Sequence, residues 1–134
     1  MRAMLEMGVN YDSRPLLLKD LARAQGISLK YLDHIFSVLK AKKLIKSSQR
    51  GKGYTLARPP EEISLYEIVY TFEPENLIEC IGKDGLCMRD SLCGARVLWS
   101  KVNTAIKRQF LEVTLADVIR EQKKLSKGHK MYYI

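Results

Sequence analysis

At 134 residues with 46% apolar side chains, the chain has material for one modest packed core, alone or with an appended helical element. Its formal net charge of +8 points to a polyanionic partner, and no segment approaches the ~18 uninterrupted apolar residues of a membrane-spanning helix. Glycine and proline are too sparse for a disordered chain, and Met1 to Gly8 carry Arg2 and Glu6 with no small-residue cleavage site, so no secretory leader is expected and the cytoplasm is the expected location.

Met4, Leu5 and Met7 with Gly8 read as the tail of a helix, with no capping residue in front of it. Asp12-Ser13-Arg14-Pro15 is a turn. Leu18, Leu21 and Ala22 then recur at helical spacing and end at Gly26, a natural C-cap. Ser28 caps a second helix over 29–42, whose apolar stripe is Leu32, Ile35, Phe36 and Leu39. Its opposite face carries Lys30, Tyr31, Asp33, His34, Ser37 and Lys40. Two short helices around a tight glycine-containing turn match a helix-turn-helix.

Residues 44–48 and 53–57 read as two strands, with Gln49-Arg50-Gly51-Lys52 as the turn between them. Glycine lets such a turn adopt positive φ and approach another backbone closely. Pro59-Pro60 closes the hairpin. Helix, turn, helix and hairpin is the order of a winged helix. From His34 to Glu61 no acidic residue intervenes, whereas Lys40, Lys42, Lys43, Lys46, Arg50, Lys52 and Arg58 are all basic. A merely solvated face would mix signs over such a stretch; nucleic acid is the better match.

Ser64-Leu65-Tyr66-Glu67 is a capping box opening a helix to about Phe72. Residues 73–90 lack a sustained period and contain Gly82 and Gly85, which predicts a loop. From about Ala95 a long helix shows Leu98, Val102, Ala105, Ile106, Phe110 and Val113 in a clean repeat. Thr114-Leu115-Ala116-Asp117 is a second capping box, opening a final helix to about Lys124. The stripe of the long helix calls for a second copy of the chain, or else for folding back on its own domain. The expected organisation is a winged helix-turn-helix over 1–72, a cysteine loop over 73–94, a dimerisation helix with a short last helix over 95–125, and a flexible basic tail over 126–134. The fold class is mainly α with a small β-hairpin wing.

The first residues of a recognition helix reach base edges in the major groove, here Ser28, Lys30 and Tyr31, with Asp33 and His34 one turn in. For His34 an ordinary surface histidine is the competing reading, and for Tyr31 a packing role. Arg50 beside Gly51 suits insertion into the minor groove, while Lys46 and Lys52 would meet phosphates and make binding salt-dependent.

All three cysteines fall between positions 80 and 93, as Cys80-x6-Cys87-x5-Cys93. An odd number argues against a disulfide framework. Soft thiolates suit iron–sulfur clusters, zinc or copper(I), but the short knuckles of structural zinc sites are absent. Glycine-containing gaps allow the loop to wrap something larger than one ion, with unligated redox thiols as the alternative.

The chain resembles the IscR/NsrR-type family of winged-helix transcriptional regulators with a three-cysteine iron–sulfur site. The resemblance is carried by Leu18-x2-Leu21-Ala22, Gly26-Ile27-Ser28-x2-Tyr31-Leu32 and Arg50-Gly51-x-Gly53-Tyr54-x-Leu56-Ala57. Glu79-Cys80, Cys87, Cys93, Leu98-Trp99 and Thr114-Leu115-Ala116-Asp117 complete it. It implies a homodimer on a double-stranded operator, a 2Fe–2S or 4Fe–4S cluster on Cys80, Cys87 and Cys93, and DNA affinity that follows cluster state. Ser28, Tyr31 and Asp33 match recognition-helix positions, and Arg50 matches the wing arginine. Two departures stand out. The Ser/Thr-x-Lys-x-x-Tyr-Ala segment with which family chains usually begin is absent, and Arg96 stands where a ligand histidine follows the third cysteine in some members. The fourth ligand is therefore open among Glu79, Asp84, Asp90 and His34.

The function expected is a DNA-binding transcriptional regulator, a repressor by preference. The alternatives are a cofactor-free winged-helix repressor controlled by cysteine oxidation or a protein partner, and an iron–sulfur electron-transfer protein. The basic hairpin and recognition helix serve no purpose in electron transfer. No paired carboxylates, Ser/His/Asp set or phosphate-cradling loop suggests an enzyme.

Overall fold

The computed structural model describes residues 1–49, 52–82 and 86–131, with side chains through Gly128. Helices α1 (Arg2–Val9), α2 (Leu18–Gln25) and α3 (Leu29–Ala41) precede a hairpin of β1 (Ile45–Ser47) and β2 (Tyr54–Leu56). Then follow α4 (Leu65–Val69), α5 (Glu79–Gly82), α6 (Gly94–Glu112) and α7 (Leu115–Met131). No helix among the described residues is long and apolar enough to cross a membrane.

Gly26 ends α2 in the left-handed conformation, φ 61°, and the Ser28 hydroxyl accepts from the Tyr31 N–H at 3.2 Å to open α3. These two devices fix the turn between the helices. Leu21, Leu32, Phe36 and Leu39 are buried between them, as the stripe requires. The hairpin pairs Ile45 with Leu56, Lys46 with Thr55 and Ser47 with Tyr54. Leu16 adds a third edge, exchanging two 2.9 Å hydrogen bonds with Tyr54. That edge explains Gly53: its φ is 92°, and a Cβ there would stand 2.8 Å from the Leu16 carbonyl oxygen. Tyr54 in turn meets Phe36 edge-on at 5.0 Å, tying the wing to α3.

Both predicted capping boxes form. Glu67 accepts from the Ser64 N–H at 3.1 Å and Asp117 from the Thr114 N–H at 2.9 Å. The two helix starts are joined side by side, with Leu65 N–H donating to the Val113 carbonyl and Leu115 N–H to that of Ile63, each at 2.8 Å.

The last helix departs from expectation in two ways. It runs to Met131 rather than ending near Lys124, because no proline or capping glycine stops it and Ser126 returns a hydroxyl bond to the Gln122 carbonyl. The helix thus takes up most of the stretch expected as an aperiodic tail; residues 132–134 lie outside the described ones. It also packs on α1: Met4, Met7, Leu115 and Ile119 are buried together, and a Cβ on Gly8 would stand 2.4 Å from Ile119 Cδ1. The core of the winged helix is thus closed by a helix from the far end of the chain.

A candidate nucleic-acid interface and its cysteine loop

Helix α3 turns Ser28, Lys30, Tyr31, Asp33 and His34 outward; all five are exposed, Tyr31 by 61%. The Ser28 side chain is already committed to the helix cap. Lys46 on β1 and Lys52 before β2 are exposed as well. Arg50 and Gly51, the expected wing tip, lie outside the described residues. Lys43 follows α3 with φ 57°, a left-handed cap that swings the chain from helix into wing. At the other end of the hairpin, Arg58 is tied to α4 through the Glu67 carboxylate and donates to the Glu62 carbonyl at 3.0 Å. Burial pushes the Glu67 carboxyl up, but bonds from Arg58 and Ser64 outweigh it and hold the group below its usual range. Arg58 is therefore a structural cation, whereas Lys46 and Lys52 remain on the surface.

The cysteine loop hangs from α6. Arg96, Asn103 and Phe110 recur every seven residues along that helix and so share one flank. Arg96 Nε donates to the Cys80 carbonyl at 3.0 Å, and its Nη1 lies 3.4 Å from Asp90. Asn103, 5% exposed, accepts from the Leu77 N–H at 3.1 Å and donates to Asn76 at 3.0 Å. Phe110 meets Tyr70 of α4 edge-on at 5.9 Å. Where a loop was expected throughout 73–90, Glu79–Gly82 instead forms one helical turn, α5, with Cys80 inside it. The reason is the Arg96 bond to the Cys80 carbonyl, which satisfies a group the short helix leaves open.

The three cysteines are free, Cys80 and Cys93 half-buried and Cys87 exposed. As soft, accessible donors along one stretch they fit a thiolate-bound cluster chemically. Among the described residues, however, no three His, Cys, Asp or Glu side chains gather closely enough for one metal ion. Of the fourth-ligand candidates, Asp90 faces Arg96, Glu79 is exposed at the start of α5, and His34 lies with the reading face of α3. Asp84 lies outside the described residues.

Residues 1–121 match the family model described as Rrf2, iron-dependent transcriptional regulator. The chain belongs to the Rrf2 family. It is 34% identical over 122 residues to protein rrf2 of Nitratidesulfovibrio vulgaris, covering 90% of this chain and 81% of that one. It is 30% identical over 125 residues to the HTH-type transcriptional regulator IscR of Escherichia coli, covering 92% and 76%. Among solved structures it is similar to IscR of T. potens, with a TM-score of 0.72 and 26% identity over 92% of this chain and 82% of that one. CymR, the global cysteine regulator of B. subtilis, gives 0.72 and 27% over 88% and 87%. These likenesses establish a DNA-binding transcriptional regulator of the winged-helix type.

Sequence reasoning missed Asn103, Asn76 and the Arg58–Glu67 pair. The seven-residue spacing of Arg96, Asn103 and Phe110 was the available signal; it was hidden because Phe110 also belongs to the apolar stripe that dominates the helix.

The long helix divides its apolar residues. Ile106 and Phe110 are half-buried, with Phe110 against α4, whereas Val97, Leu98, Trp99 and Val102 are 44–64% exposed.

Proposed function

We propose that this Rrf2-family regulator acts as a homodimeric repressor whose operator affinity is set by the state of Cys80, Cys87 and Cys93. The observation that carries the reading is the seating of the cysteine loop on α6 through Arg96 and Asn103. The same helix leaves Leu98 and Val102 uncovered for a second copy. A change at the cysteines therefore bears on the helix that would set the spacing of two reading heads. In that dimer Ser28, Lys30, Tyr31, Asp33 and His34 would read the major groove, Lys46 and Lys52 would hold phosphates, and Arg50 with Gly51 would enter the minor groove.

Cys80, Cys87 and Cys93 would hold an iron–sulfur cluster, 2Fe–2S or 4Fe–4S. Bound there, it would supply a redox-active group that oxidants dismantle. Arg96 holds the Cys80 turn in place and cannot itself serve as a ligand. A coupling of 1–3 kcal/mol, the usual range, would change operator affinity by about 5- to 150-fold.

The test is anaerobic reconstitution with iron and sulfide, then an iron count, a visible spectrum and operator affinity on the same sample. Iron uptake with altered affinity supports the reading. Uptake with unchanged affinity removes the switch and leaves the DNA reader. A colourless, iron-free product favours a second reading, control by cysteine oxidation, which the exposed Cys87 also supports. Val102→Glu should yield a monomer by light scattering if α6 is the dimer seam.

A further inference from the structure

Between the starts of α2 and α3 lies an apolar groove formed by Leu17, Leu18 and Leu29, with Lys19, Lys30 and Asp33 on its rim. We propose that this groove reads thymine: Leu29, with Leu17, takes the 5-methyl group of a thymine in the major groove. Lys19 holds a flanking phosphate, and Lys30 reaches a neighbouring base edge. The inference rests on the DNA-binding reading of α3 and deepens it.

Three observations favour this occupant. Leu29 is the first residue of the recognition helix and stays 50% exposed, outside the buried core. Leu17 occupies the N-cap of α2 without a side-chain bond. Ser, Thr, Asp or Asn would stabilise that cap by about 1 kcal/mol, so apolar surface stands here at a cost to the helix. The rim then decides what the groove can meet. Two lysines flanking an apolar floor complement a duplex, where phosphates border base edges. Asp33 repels a phosphate from the groove itself, which leaves the base edges to cover the leucines. Of those edges only thymine's offers a methyl group, and apolar side chains are its recognised partners.

The probe is a labelled duplex selected by the wild-type protein from a random-sequence library, with each thymine replaced singly by deoxyuridine. That exchange removes the methyl group and nothing else. At one or more positions the wild type should bind the deoxyuridine duplex about fourfold more weakly, the worth of one methyl-sized apolar group removed from water. Leu29→Ala should bind the parent duplex more weakly and lose nothing further at that position, and Leu29→Met should restore the fourfold step. Leu29→Gln, of similar length but polar, is the second variant, and should also be indifferent to the methyl group. The proposal is overturned if no exchange weakens wild-type binding, or if Leu29→Ala and Leu29→Gln keep the full step. Salt-dependent binding that ignores the methyl group overturns the groove alone; failure to select any duplex overturns the DNA-binding reading with it.

Discussion

Replacing Asn103 by alanine should free the cysteine loop from α6 while leaving the winged helix folded. The side chain is 5% exposed and makes two bonds to the loop, accepting from the Leu77 N–H and donating to the Asn76 side-chain oxygen Oδ1. Each bond contributes about 0.5–1.5 kcal/mol net, and alanine recovers about 0.6 kcal/mol of helix propensity. The balance is a loss of roughly 1–2 kcal/mol. Its location matters more than its size. Asn76 also packs against Gly82, where a Cβ would stand 2.1 Å from Asn76 Nδ2, so releasing Asn76 loosens the turn that carries Cys80. Opening of residues 76–82 should then become about 5- to 30-fold more frequent, read as faster amide exchange there and faster reaction of Cys80 with a thiol reagent. Urea denaturation should show a loss no larger than the local one. Asn103→Asp, which keeps the acceptor for Leu77 but not the donor for Asn76, should fall between. Unchanged exchange over 76–82 in Asn103→Ala, with a stability loss below about 0.5 kcal/mol, would refute the assignment of this residue as the loop's anchor.

The two capping boxes should make acid stability depend on Glu67 and Asp117. Burial opposes the Glu67 charge but its bonds to Arg58 and Ser64 win, while bonds from the Thr114 N–H and hydroxyl hold Asp117 low despite a small opposing desolvation. With native values below the unfolded ones, their contribution is present above about pH 4 and is lost as pH falls through the native values; Glu67→Gln and Asp117→Asn should flatten that acid limb in thermal denaturation. Ser28→Ala removes the bond from the Tyr31 N–H and should cost about 1 kcal/mol in denaturant titrations. Lys46→Ala should weaken binding to all duplexes alike, lowering the slope of log affinity against log salt by about 0.9 if the residue meets one phosphate.

The reading head was legible because its signals are local. Gly26 after one helix, Ser28 before the next, and Leu32, Phe36 and Leu39 at spacings of three and four specify turn, cap and buried face without distant information. The same holds for Ser64 with Glu67 and Thr114 with Asp117, whose reciprocal bonds span only three residues. What stayed hidden depends on residues far apart. Gly8 looks like any small residue until Ile119 is placed against it, and nothing in the local pattern says that α7 closes the core begun by α1.

The cysteine loop divides along the same line. That three thiols fall close together in the sequence is plain from their spacing, and so is Arg96 three residues after Cys93. What Arg96 does there required the tertiary contact. A guanidinium has donors and no lone pair to offer a metal, so in the absence of an acceptor it would be an unhelpful neighbour for three soft ligands. The Cys80 carbonyl at 3.0 Å and Asp90 at 3.4 Å supply acceptors, and both belong to the loop. Arg96 thus draws the two ends of the cysteine stretch onto the same turn of α6. Arg96 therefore ties the loop to the helix through the chain's own hydrogen bond and ion pair.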